Sequence, residues 1–324
     1  MTAAPHTPPH AELTQLAQRA VAQWGGSDRP LRLLSHRENA VFDAALPAGR
    51  AALRLHRPGY RSDSQILAEL DWTRELAAAG FPAPQPMPMS DGGWLLHLGQ
   101  GQRATCIGWL DGVPIGEGTD RLTHDSVTEY ARIGEMLARL HTMTIAMGAE
   151  RLDRPRWDID GLTGAQPLWG QYWGMPLLTP SQRDMVIRAR DVARARLRLY
   201  QAGGAEITLI HSDALRENVF RLDDRLGLID FDDSGFGFVM YELAASVTQL
   251  VDDPLYPEIQ AAIVDGYASL RPLRAVDREA FDMFAMLRAF SALGWTIPRL
   301  PADHPRLPTY VRRAMSLTQR FLDE

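Results

Sequence analysis

Between residues 209 and 233 the chain reads Leu-Ile-His-Ser-Asp-Ala-Leu-Arg-Glu-Asn-Val-Phe-Arg-Leu-Asp-Asp-Arg-Leu-Gly-Leu-Ile-Asp-Phe-Asp-Asp. Its two short apolar runs, bounded by the turn-forming pair Asp223-Asp224 and by Gly235, predict a β-hairpin. Asp213 and Asn218 stand at one end of it and Asp230 at the other, so three oxygen-bearing side chains converge. Carboxylate and amide oxygens are the hard ligands that Mg²⁺ takes, and a carboxylate beside a hydroxyl can accept its proton. Metal-assisted phosphoryl transfer needs both.

The spacing His211-x-Asp213, then Asn218, then a strand ending in Asp230-Phe231, resembles the catalytic loop and metal-binding turn of protein kinases. Leu-Ile-His-Ser-Asp and Leu-Ile-Asp-Phe-Asp-Asp look more like the small-molecule branch of that fold, the aminoglycoside phosphotransferase and choline kinase superfamily. Within it, Leu53-Arg54-Leu55-His56-Arg57-Pro58-Gly59 and Arg216-Glu217-Asn218 are similar to bacterial proteins grouped with type II homoserine kinase and the stress-response kinase. The resemblance implies an α+β, two-lobed protein-kinase-like fold, with a small antiparallel-sheet N-lobe and a larger, mostly helical C-lobe. It also implies ATP and Mg²⁺ as cofactors, Asp213 as the catalytic base, and Asn218 and Asp230 as the metal ligands. His211 would brace the loop. Asp232 stands where protein kinases have glycine; it and Asp233 are candidates for a second metal, for the acceptor, or for capping the following turn.

The elements that must position these groups follow from pattern. Residues 1–10 read as a flexible tail, residues 11–110 as the N-lobe and residues 111–324 as the C-lobe. Leu13, Leu16, Ala17, Ala20, Val21 and Trp24 recur at helical spacing before Gly25-Gly26. Residues 31–34, 40–45 and 51–56 predict three strands. The turn between the first two lies over the nucleotide phosphates in the resembled fold. Here it lacks glycine, leaving backbone N–H groups, Ser35 and Asn39 as phosphate contacts, with a plain hairpin turn as the alternative.

Ala51-Ala52-Leu53-Arg54 takes the place of the kinase Val-Ala-Ile-Lys motif, with Arg54 for lysine. A guanidinium grips phosphate in bidentate fashion. Arg57 is the competitor on this stretch, but Leu53 and Leu55 face the side opposite to Arg54. A helix over residues 64–79, with Ile66, Leu70, Thr73 and Ala77 on one face, supplies Glu69 as Arg54's partner by resemblance and Glu75 as second choice. Residues 87–89 and 93–98 predict a strand pair around Asp91-Gly92, and residues 103–110 the last N-lobe strand. There the resemblance puts adenine on backbone groups of Gly108 and Leu110.

Downstream, residues 123–144 predict a long helix that buries Val127, Ile133, Leu137 and Leu140, with His141 as a hydrogen-bonded core residue. Residues 151–174 are loop-rich and aromatic. Trp157 leads a set that either lines a substrate or lid surface or packs over the helical lobe. The helix of residues 180–200 carries six arginines on several faces and reads as solvated. Helices over 240–250, 257–270, 277–295 and 305–322 complete the chain. Only about ten residues separate Asp230 from the next helix, too few for the long activation segment of regulated protein kinases.

Composition narrows the class. The 324 residues are 45% hydrophobic and 23% charged, ordinary for a globular chain of this size. A net charge of −6 argues against a nucleic-acid partner. One cysteine, Cys106, excludes an internal disulfide and any Cys-based zinc cluster. No run approaches membrane-spanning length and no signal-like start is present, which points to the cytoplasm.

The expected function is an ATP- and Mg²⁺-dependent transfer of the γ-phosphate to a hydroxyl of a small molecule: homoserine, an amino alcohol or an aminoglycoside-like compound. A protein serine/threonine kinase of the stress-response type and a nucleotide-binding pseudokinase are the alternatives. The second draws on the missing glycine loop and on Arg54.

Overall fold

The computed structural model describes residues 10–36, 39–116 and 121–323. The described residues divide into two compact units, one within residues 10–113, 151–153 and 227–232, the other within residues 114–150, 154–226 and 233–323. Among the described residues no helix is long and apolar enough to cross a membrane.

The first unit is built on an antiparallel sheet. Its strands β1 (Arg32–His36), β2 (Ala40–Leu46), β3 (Gly49–His56), β4 (Leu96–Gly99) and β5 (Gln102–Gly108) run in the order β1-β2-β3-β5-β4. Alternation sorts the side chains: Phe42, Ala44, Leu53, Leu55, Ala104 and Cys106 share one buried core with Leu13, Ala17, Ala20 and Trp24 of the N-terminal segment. Those last residues belong to α1 (His10–Val21) and the 3₁₀ turn after it, whose Trp24 Nε1 donates to the Met87 carbonyl at 2.8 Å. Leu53 and Leu55 thereby leave Arg54 on the other face, paired in register with Val41 on β2 and Thr105 on β5.

Helix α2 (Asp63–Ala78) starts from a capping box formed by Ser62 and Gln65. It buries Ile66, Leu70 and Thr73, as the spacing predicts, and also Trp72 and Leu76, while Ala77 is only half-buried. Residues 87–89 form no strand; Met87 N–H donates to the Cys106 carbonyl and Met89 N–H to the Gly93 carbonyl across a turn. Within 87–89 Pro88 has no N–H to give a ladder, and the pairing with β5 is limited to an isolated bridge between Pro86 and Ile107.

The second unit is mostly helical. Its longest helix pair, His124–Ala146 and Tyr256–Leu270, meets at glycines. A Cβ on Gly266 would lie 1.9 Å from the Ala131 carbonyl oxygen, and one on Gly134 2.1 Å from that of Ile263. Ile133, Leu137 and Leu140 are buried as expected, Val127 only half-buried. His141 is a core residue, its Nδ1 2.9 Å from the Tyr267 hydroxyl. Trp157, Trp169 and Tyr172 are buried, so the aromatic segment packs. The arginine-rich helix Pro180–Ala202 carries ion pairs such as Arg194–Asp160 at 2.5 Å.

The Asp223-Asp224 turn connects Val219–Leu222 to Arg225–Leu228 as predicted, with Asp223 at φ 52°. Leu209 and Ile210 do not belong to that hairpin. Their strand, Ile207–Ile210, pairs antiparallel with Gly235–Phe238, which also pairs in parallel with Arg156–Trp157. The predicted helix over 277–295 is two, Ala275–Glu279 and Phe281–Thr296. The strand Gly235–Phe238 leads straight into the helix Val239–Val247.

Candidate active site

The predicted functional residues form two sets, one in each unit. In the first unit β3 and α2 bring Arg54 to Glu69: Nη1 and Oε1 are 2.5 Å apart, and both side chains are about 4% exposed. Glu75 is not the partner; it pairs with Arg151. The other end of the guanidinium fork, Nη2, lies 3.6 Å from Asp230 Oδ1 and 3.6 Å from Asp232 Oδ1. Burial works against the Arg54 charge, but Glu69, Asp232 and Asp230 together outweigh it and the group stays cationic.

Asp230 projects from a left-handed backbone, φ 66°, a conformation that a non-glycine residue holds at a cost. Its side chain is 56% exposed, whereas that of Asp232 is 6% exposed. The Asp232 carbonyl accepts from Arg61 Nε at 3.3 Å and Nη2 at 3.2 Å, and the ring of Phe231 meets Trp72 edge-on at 5.2 Å. Two residues beyond Arg54, burial and then the Arg54 charge push His56 down to about 3, so this imidazole is neutral. Its Nε2 lies 2.9 Å from Thr105 Oγ1.

The remaining nucleotide candidates are less concentrated. Ser35 is exposed on β1, and Asn39 is buried, its Oδ1 accepting from the Arg57 N–H at 3.2 Å. Residues 37 and 38 of that turn lie outside the described residues. Gly108 N–H donates to the Gln85 carbonyl at 2.7 Å, and Leu110 is half-buried.

In the second unit the loop 211–218 is held by a residue that the sequence reading missed. Glu242 is fully buried on the helix Val239–Val247 and accepts from the backbone N–H of His211 at 2.5 Å and of Ser212 at 2.8 Å. Ser212 adopts φ 65° and its Oγ donates to the Asp233 carbonyl at 2.6 Å. His211 accepts the Asp213 N–H on Nδ1 at 3.3 Å, a bracing role. Trp157 is buried, and its indole N–H donates to the Asp233 carbonyl at 2.9 Å.

Asn218 Nδ2 donates to the Asp213 carbonyl at 2.8 Å and to its Oδ2 at 3.1 Å, leaving the amide oxygen as the donor atom it can offer a cation. Asp213 Oδ1 meets a second missed residue, Arg288, whose Nη2 is 2.7 Å away. Both omissions carried a faint signal. Glu242 and Arg288 are charges inside otherwise apolar helical runs, Val-Met-Tyr-Glu-Leu-Ala-Ala and Phe-Ala-Met-Leu-Arg-Ala-Phe, and a fully buried charge needs a partner.

A five-stranded antiparallel sheet carrying an Arg–Glu pair, with a helical unit presenting an Asp–Asn loop, defines a kinase-like phosphotransferase. Residues 30–284 match the family model described as the phosphotransferase enzyme family, and the chain belongs to that family. It is an enzyme that moves phosphate onto hydroxyl groups. A homoserine kinase of Brucella anthropi is 30% identical over 65% of this chain and 61% of its own length. One of Sinorhizobium medicae is 28% identical over 81% of this chain and 76% of its own. The structure of a microcompartment-associated aminopropanol kinase is 27% identical, with a TM-score of 0.79 over 95% of this chain and 97% of that one.

Proposed function

We propose that this chain is an ATP- and Mg²⁺-dependent kinase whose acceptor is a small molecule carrying a hydroxyl and an amine. The observation that carries the reading is the Asp213 carboxylate, 21% exposed and held on both oxygens within a loop anchored by Glu242. The named relatives support the acceptor class: homoserine kinases, an aminopropanol kinase and an amicoumacin kinase. So does the short path from Asp230 to the helix beginning at Val239, which leaves no room for an activation segment.

Among the described residues no group of three or more His, Cys, Asp or Glu is placed to hold a metal ion. Mg²⁺ commonly takes only one or two carboxylates, completing its shell with waters and phosphate oxygens. Asn218 keeps its amide oxygen for a cation while its Nδ2 is given to Asp213, and Asp230 presents a carboxylate that is 56% exposed; each is an oxygen donor of the kind the ion takes. When bound, the ion neutralises charge on the phosphates. Arg54, held by Glu69, binds phosphate oxygens, and Ser35 and Asn39 flank the phosphate turn. The base sits against backbone groups of Gly108 and Leu110, Gly108 offering its carbonyl because its N–H is given to Gln85. Asp213 orients the acceptor hydroxyl and takes its proton as the oxygen attacks.

Calorimetric titration with ATP, with and without Mg²⁺, followed by ADP release against homoserine, amino alcohols and aminoglycosides, tests this reading. Mg²⁺-dependent binding and acceptor-stimulated ADP release are expected. Absence of nucleotide binding would overturn it.

A further inference from the structure

We propose that Arg288 is a positioning residue for Asp213, and that the aromatic segment of residues 157–173 serves the reaction by holding Arg288 in place. The proposal rests on Asp213 being the base, as argued above. It goes further in assigning work to a residue 75 positions away and to a segment whose role the sequence left open.

The Asp213 carboxylate has one oxygen on Asn218 Nδ2 at 3.1 Å and the other on Arg288 Nη2 at 2.7 Å. A single contact leaves a carboxylate free to swing about the bond that carries it, because this torsion is broad. Two contacts on two oxygens fix its plane. Which oxygen faces an incoming hydroxyl, and at what angle, is then set by the protein.

Arg288 is itself packed in. Its side chain is 7% exposed and its guanidinium lies 4.8 Å from the ring centre of Trp169. Trp169 meets Trp157 edge-on at 5.0 Å, and Trp157 stacks on Tyr241 at 5.4 Å. The Trp157 indole N–H is tied to the Asp233 carbonyl, the same atom that receives Ser212 Oγ from the Asp213 loop. The aromatic wall and the loop therefore share an anchor. A planar guanidinium can stack on an indole while donating in its own plane, which an ammonium cannot do.

Stability alone gives no reason for this charge. Phe284, Leu287, Ala289 and Ser291 around it on the helix Phe281–Thr296 are buried, and apolar side chains at both 213 and 288 would avoid the desolvation of the pair. Buried ion pairs replaced by well-packed apolar groups are often neutral or stabilising. A charge kept at that position, on the oxygen of the proposed base, points to the reaction.

Arg288→Met and Arg288→Lys, each made alone and in an Asp213→Asn background, test the assignment. Arg288→Met is expected to lower kcat about 100-fold while both KM values stay within about 3-fold, since a misplaced group costs rate rather than binding. Arg288→Lys, which keeps the charge but loses the fork, is expected to recover about 10-fold over Met. In the Asp213→Asn background Arg288→Met should change the residual rate by less than about 3-fold, because residues acting as a unit are not additive.

Equal losses in both backgrounds, or a loss confined to KM, would overturn the proposal. If Arg288→Met fails to fold, the Lys variant carries the test alone: unchanged kcat and KM overturn it, and lowered kcat with unchanged KM supports it. An Asp213→Asn enzyme with full turnover would instead remove the base on which this inference rests, while the kinase reading itself falls only if nucleotide binding and turnover are absent from the wild type. An inactive Asp213→Asn enzyme beside a fully active Arg288→Met one would overturn this inference only.

Discussion

At the scale of single residues, the Arg54–Glu69 pair shows how sequence pattern becomes chemistry. Alternation along β3 puts Leu53 and Leu55 into the core and Arg54 on the other face, where α2 places Glu69 against it. Breaking a buried pair strands a charge, so Glu69→Ala is expected to lower the free energy of unfolding by about 3–5 kcal/mol in urea melts. Arg54→Met should weaken nucleotide binding in calorimetry more than it alters kcat. His56 gives a pH signature. Its imidazole drops from 6.5 to about 3 in the folded chain, so the native state resists the proton that the unfolded state accepts. That contribution is complete above pH 6.5 and is lost as the pH falls toward 3. His56→Gln should flatten the decline between these limits in urea melts at pH 7 and pH 4.5, and an unchanged slope would refute the assignment. Pairing Arg54 with Glu69 was legible from motif position. The approach of Asp232 to the same guanidinium was not, because Asp232 and Arg54 are joined only by the path of the chain through the fold.

At the scale of elements, strands and helices with strong periodicity were legible nearly to their ends, β2, β3 and α2 among them. Where the reading failed, long-range pairing decided. Leu209 and Ile210 look like the first strand of the hairpin, yet they pair with Gly235–Phe238, a partner that no local pattern announces. Residues 87–89 look strand-like by composition, but Pro88 among them cannot donate to a ladder. Glu242 showed only as a charge in an apolar run, and its role was hidden for a related reason: it serves backbone N–H groups about 30 residues earlier in the chain. Removing it leaves two loop donors without their acceptor. Glu242→Ala is therefore expected to destabilise the chain by about 2–5 kcal/mol and to lower kcat, read from melts and from ADP release. The glycine contact between His124–Ala146 and Tyr256–Leu270 leaves no space for a methyl group at 266. Gly266→Ala should cost about 1–3 kcal/mol through overpacking, with Mg²⁺-nucleotide affinity unchanged.

For the whole molecule, belonging to the phosphotransferase enzyme family fixes the kind of reaction, and the proposed cofactors make a linkage prediction. A ligand that binds only the folded state stabilises it by about 2.7 kcal/mol at one hundred times its Kd. Mg²⁺ and ATP together should raise the melting temperature, and EDTA should remove most of that gain. The acceptor is the part that neither motif nor fold specifies, because acceptor contacts come from loops and helices whose sequence pattern records only packing. The most direct test of the central claim is phosphorus NMR of wild-type and Asp213→Asn protein incubated with Mg²⁺, ATP and either homoserine or an amino alcohol. The wild type is expected to give a new phosphate-ester resonance and matching ADP. Asp213→Asn is expected to be at least ~10³-fold slower while nucleotide binding is retained. Phosphate-ester formation by Asp213→Asn at the wild-type rate, or no ester from any hydroxylated amine with the wild type, would contradict it.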